Sequence, residues 1–178
     1  MFLQHGATEL ASYYLQIKFF HVACAMIWLA STSVAYINYL LPAIRAWQRA
    51  PDNELLIQQR NIAMERFDKG VLLEHAAFPL LLISGLLLLA AGPWGPSHFW
   101  LALKLCIVVL VFLPIEVLDY WLSHFGGNKK AIRESGLADV ALSYERAIQQ
   151  HWLFLVVSTP VIAVSGVLVL YLAVVKPL

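Results

Sequence analysis

Lys18 and His21 stand three residues apart at the start of an apolar run, LQIKFFHVACAMIWLAS, residues 15–31. On a helix that spacing puts both nitrogens on one face, one turn apart. Ionisable groups at membrane depth are expensive and turn towards a bundle interior, where they find partners and do chemistry. Glu74, His75, Lys104, Glu116 and His151 also lie within or at the edges of apolar runs. Imidazole nitrogen ligates haem iron, and a four-helix bundle holds such ligands between facing helices. His21, His75 and His151 are therefore the candidate metal ligands, and haem is the cofactor they suit. One haem at His21 is the primary expectation; a second, between His75 and His151, is the bolder one. Each histidine also has a plainer reading as an interfacial ring bonded to water, the one preferred for His98 and His124, and His5 reads as merely terminal.

Lys104 and Glu116 are the candidate catalytic residues. The Lys104 ammonium either snorkels to an interface or turns inward, as an iron ligand or as a cation for a propionate or an anionic substrate. Glu116, with Glu74 and Asp119, either passes protons or pairs with an arginine of a connecting segment.

The elements that must position these groups follow from composition. The 178 residues are 61% hydrophobic and 13% charged, against roughly 25% charged in a soluble domain. A soluble core of this length cannot absorb that much apolar surface, so lipid is the expected solvent and partner. A net charge of +1 offers no basic surface for nucleic acid. Cys24 and Cys106 lie in separate runs without a CxxC pattern, which indicates neither a disulfide scaffold nor a zinc site. A span needs about 20 mainly apolar residues, and four runs qualify, at about 13–46, 70–92, 97–124 and 150–175. The expected fold is an all-α integral membrane bundle of four transmembrane helices, a single domain over residues 1–178. The N-terminus lacks the positive region of a signal peptide, so the first run is expected to remain as a span.

Charge sets the expected direction. Arg45, Arg49, Arg60, Arg66 and Lys69 join spans one and two, and Lys129, Lys130, Arg133 and Arg146 join spans three and four. The connection AGPWGPSHF has no lysine or arginine. The positive-inside rule then puts both termini outside and both long connections in the cytoplasm. Those connections read as helical extensions: Pro51-Asp52 marks a helix start before NELLIQQRNIAMERF, and SGLADVALSYERAIQQHW runs into the fourth span. PLLLISGLLLL from Pro79 and PVIAVSGVLVL from Pro160 echo each other as proline, four residues, then Ser-Gly. The echo reads either as chance or as two equivalent helices flanking something between them. Levelling these two segments leaves His75 and His151 about 7–8 Å apart in depth.

Three patterns resemble one family in the same order: K-x-x-H-x6-W-x-A (Lys18, His21, Trp28, Ala30), W-L-x-x-K-L (Trp100, Leu101, Lys104, Leu105) and the ending VVKPL (Val174–Leu178). They are similar to the HemJ-type bacterial membrane protoporphyrinogen oxidases, which group with the copper-resistance-D-like membrane proteins. LLPAIR, ending at Arg45, is a shifted counterpart of that family's Tyr-Leu-Pro-Arg stretch, and His75 and His151 fall outside the family pattern. The resemblance implies a haem-b oxidoreductase of the bacterial inner membrane that removes hydrogens from protoporphyrinogen IX. It would pass electrons to quinone or another respiratory-chain partner. His21 and Lys104 would be the polar pair near the haem, with Lys18, Trp28 and Arg45 completing the cofactor's surroundings. The alternative is a non-catalytic electron-transfer cytochrome b, or an accessory or transport subunit; either class admits a homo-oligomer.

Overall fold

The computed structural model describes residues 11–95, 97–136 and 138–177. Among them every regular element is helical. α1 (Tyr14–Ala35) continues through a π-helical turn, Tyr36–Leu40, into α2 (Leu41–Arg49). α3 (Glu54–Gly70) leads into α4 (Leu72–Ala91). α5 (Phe99–Ile107) passes through a second π-helical turn, Val108–Phe112, into α6 (Leu113–His124), and short α7 (Lys129–Glu134) follows. α8 (Val140–Val175) is one unbroken helix of 36 residues. These pieces make four rods, Tyr14–Arg49, Glu54–Ala91, Phe99–Glu134 and Val140–Val175, each long and apolar enough to cross a membrane. Their outer faces are apolar as well: Leu15, Phe19, Leu110, Val164 and Val174 are all at least 70% exposed, a surface that water penalises and lipid does not.

The expected extensions are present as helices. The first begins slightly later than Pro51-Asp52 suggests, because Asn53 is the cap: its side chain accepts from the N–H groups of Leu55 and Leu56. α8 carries the second extension straight into the fourth rod, as its uninterrupted pattern implies. The π-helical turns each run into a proline, Pro42 and Pro114, near the start of the following α-helix. Proline has no N–H and crowds the preceding turn, and a wider turn is a recognised way to accommodate that disruption.

Two apolar cores hold the rods together. At the end bearing the long connections, Leu40, Ile44, Met64, Phe67, Val71, Tyr144, Ile148 and Leu155 pack as one cluster. Trp28, Ala77, Phe78, Trp100, Ile107, Phe112 and Leu172 form the other, reaching towards the end that bears both termini. The connection end is also tied by ion pairs. Arg60 meets Glu145 in a two-pronged contact at 2.9 and 2.6 Å and lies over the Trp47 ring. Arg133 grips Glu65 at 2.8 and 3.1 Å. The guanidinium holds the Glu65 carboxyl below its ordinary titration range.

Candidate functional site

His21 sits half-buried on α1, facing α4. Its Nδ1 lies 3.1 Å from the carbonyl oxygen of Leu81 and 3.0 Å from the Ser84 hydroxyl. A carbonyl only accepts, so Nδ1 carries the hydrogen and donates it. The Ser84 hydroxyl is itself turned back onto Leu80 O at 2.7 Å, which leaves its lone pairs for the imidazole. Nε2 is then the ring's basic nitrogen, and no hydrogen bond to it is found among the described residues. A Cβ added at Gly85 would lie 3.2 Å from His21 Cε1, so the missing side chain is what gives the ring its room. The Ser-Gly of the first echoed segment is thus the seat of His21. Gly166, in the second, faces the same helix, with Leu29 as the nearest side chain at 3.8 Å.

Lys104, on α5, is partly buried within electrostatic range of His21. Lys18 is exposed, one turn away on α1. Ser84 also borders an open apolar groove of ≈ 330 Å³ between α1 and α4, walled by Tyr13, Ile17, Phe20, Leu80 and Leu87.

The remaining candidates lie elsewhere. Trp28 is buried between Phe78 and Phe112, with ring centroids 5.5 and 5.0 Å away, and its indole N–H donates to Glu116. Glu116 is thus held by Trp28, not by an arginine. Arg45 is exposed on α2, 24 residues along the rod from His21, or about 36 Å at the helical rise. His5 lies outside the described residues. His98 folds over its own loop, with Nδ1 3.0 Å from Gly95 O.

His75 and His151 do meet, but through a carboxylate. Asp119 on α6 spans the offset between them: its Oδ2 is 3.2 Å from His75 Nε2 and its Oδ1 is 3.0 Å from His151 Nε2. The second nitrogen of each ring is also engaged. His75 Nδ1 is 2.9 Å from His124 Nε2, and His151 Nδ1 accepts from the Lys129 ammonium. Lys129 is wholly buried and donates as well to Asp68 Oδ1 at 2.8 Å and to Leu122 O at 3.2 Å, so all three of its N–H bonds have acceptors. The turn at residues 125–128 aims it inward. A Cβ on Gly127 would lie 2.6 Å from Leu122 O, and Asn128 caps α7 through Ala131 N while donating to Ser123 O at 2.7 Å.

The sequence reading missed five residues of these sites. Ser84 and Gly85 were visible only as half of an echo. Asp68 carried no signal, and Lys129 counted only as an orienting charge. His124, read as interfacial, is the neighbour of His75. Compared with family models, curated proteins and solved structures, the chain matches none.

Proposed function

We propose that the chain is a haem-b-binding membrane oxidoreductase of the kind implied by its resemblance to the membrane protoporphyrinogen oxidases, with His21 as the iron ligand. One observation carries this reading. The His21 ring is pinned through Nδ1 to a backbone carbonyl and a hydroxyl, while Nε2 has no hydrogen bond among the described residues. That is how metal-ligating histidines are generally oriented: the second nitrogen donates to a carbonyl, which fixes the tautomer and raises the basicity of the ligating one. Gly85 keeps the ring's flank open, and Lys104 supplies a cation for a propionate or an anionic substrate. Haem held there would supply one-electron redox chemistry, while the protein sets ligation, orientation and charge. Quinone or another respiratory-chain component is the proposed electron acceptor, and a porphyrinogen the proposed substrate.

The arginine- and lysine-rich connections support a cytoplasmic assignment for their end of the bundle, with both termini outside, in a bacterial inner membrane. His75 and His151 have both ring nitrogens bonded within the protein. The proposal is therefore limited to one haem per chain. The same limit favours, as second reading, a cytochrome that hands electrons on at one face without catalysing a reaction of its own. The test is haem content by pyridine haemochrome in protein produced with ample haem. One haem per chain, lost in His21→Ala and kept in His75→Ala and His151→Ala, is expected. Haem-free protein, or two haems per chain, would overturn the proposal. Porphyrinogen oxidation by the haem-loaded protein separates the enzyme from the cytochrome.

A further inference from the structure

At the connection end the buried ionisable groups form a series. His124, half-exposed, faces His75 at 2.9 Å, and His75 faces Asp119 at 3.2 Å. Beyond Asp119 lies a cavity of ≈ 20 Å³ lined by Thr32, Glu74, Glu116, Asp119, Ser158 and Thr159, among others. That is space for about one water molecule beside these polar groups, the rest of the wall being the apolar side chains of Ile115, Phe154, Leu155 and Ile162. Glu74 is only 5% exposed, and its Oε2 has no hydrogen-bond partner among the described residues; Thr32 Oγ1 is in the same position. A buried polar oxygen left unbonded is costly, and one water here would satisfy both. Glu116 closes the far wall, its Oε1 held by Trp28.

We infer that this series is a proton relay, in which one water in the cavity links Asp119 to Glu74, which lines the cavity together with Glu116, and His124 is the entrance. A proton on His124 Nε2 passes to His75 Nδ1, while the His75 Nε2–H bond breaks and an Asp119 Oδ2–H bond forms. Asp119 then gives its proton to the water as the water gives one of its own to Glu74. Each transfer forms one N–H or O–H bond and breaks one, and no electrons move. The other oxygen of Asp119 takes no part. Oδ1 is held by His151, which is backed by Lys129 and Asp68, so the mobile proton is directed to Oδ2. The relay stands apart from the haem proposal, since none of its groups touches His21.

The experiment is infrared spectroscopy of the full chain in lipid vesicles, following the carboxylic-acid carbonyl band as H2O is replaced by D2O. Glu74→Gln should delete part of that band and so identify it. His75→Phe should slow its exchange by about a hundredfold, the lower end of what a positioned proton-transfer group contributes. The exposed Lys130→Gln should leave it unchanged. If His75→Phe does not fold, His124→Phe, at the half-exposed entrance, carries the same expectation. The absence of any Glu74 band, or exchange as fast as wild type in a folded His75 or His124 variant, would overturn the relay.

Discussion

Replacing Lys129 with methionine keeps most of the side chain's volume and removes only its ammonium. In the native structure that ammonium is fully buried and donates to Asp68 Oδ1 at 2.8 Å, to Leu122 O at 3.2 Å and to His151 Nδ1. The variant leaves Asp68, 3% exposed, without its ammonium, and with only longer contacts to the backbone N–H of residue 129 and to His151 Nδ1, each at 3.4 Å. His151 loses the donor on one of its nitrogens. Breaking a buried pair by removing one partner costs about 3–5 kcal/mol, because the other charge stays buried and uncompensated. Adding Asp68→Asn removes that stranded charge, and replacing a whole buried pair is often close to neutral. The double variant should therefore recover to within about 1–2 kcal/mol of wild type. Reversible unfolding in mixed micelles, followed by far-UV circular dichroism over the complete double-mutant cycle, measures this. A single-variant cost below about 1 kcal/mol, the scale of an exposed pair, would refute the reasoning. So would a double variant no more stable than Lys129→Met alone.

Gly85→Ala should leave stability nearly unchanged, because its helix-propensity gain of up to about 1 kcal/mol offsets a contact at 3.2 Å with His21. The same variant should shift the haem spectrum, Gly85→Leu should abolish haem binding, and wild-type spectra in both would reject the seat assigned to His21. Lys18→Ala should retain haem with modestly altered activity, whereas Lys104→Ala should resemble His21→Ala; reduced-minus-oxidised spectra of the three decide, and the reverse order would be fatal to the assignment. The Glu65 carboxyl is held below its usual range first by the hydrogen bond from Arg133. A depressed folded value stabilises above the unfolded carboxylate value and is lost as pH falls through the folded one. Arg133→Gln should therefore lower stability in the neutral region, leave the acid extreme almost unchanged and so flatten the acid limb between them, as unfolding midpoints across pH would show.

The rods were legible because apolar runs of this length leave few alternatives, and the extensions because their apolar residues recur at helical spacing. The π-helical turns were not, although Pro42 and Pro114 marked the places: a proline says that a backbone bond is missing, not how the chain absorbs it. At the sites, pattern singled out His21 and Lys104 as candidates but gave little sign of the groups around them. Leu81 acts through a carbonyl that every residue carries. Gly85 acts through the absence of a side chain, and only the echoed Ser-Gly hinted at it. His75 and His151 read as residues of different helices at similar depth with a haem between them, whereas the group that bridges them in the structure is Asp119. A carboxylate near a span end looks the same in sequence whether it pairs with an arginine or bridges two imidazoles. Lys129 was the hardest to foresee, since its place depends on a turn at Gly127 that folds α7 back against the bundle.

The most direct test of the account is haem content and absorbance of the purified chain beside His21→Ala, both produced with ample haem and both checked for wild-type helicity. The account predicts a Soret band with one haem per chain in the native protein and loss of that haem in the variant. A native protein without a Soret band, or a variant that keeps its haem with an unchanged spectrum, would contradict it.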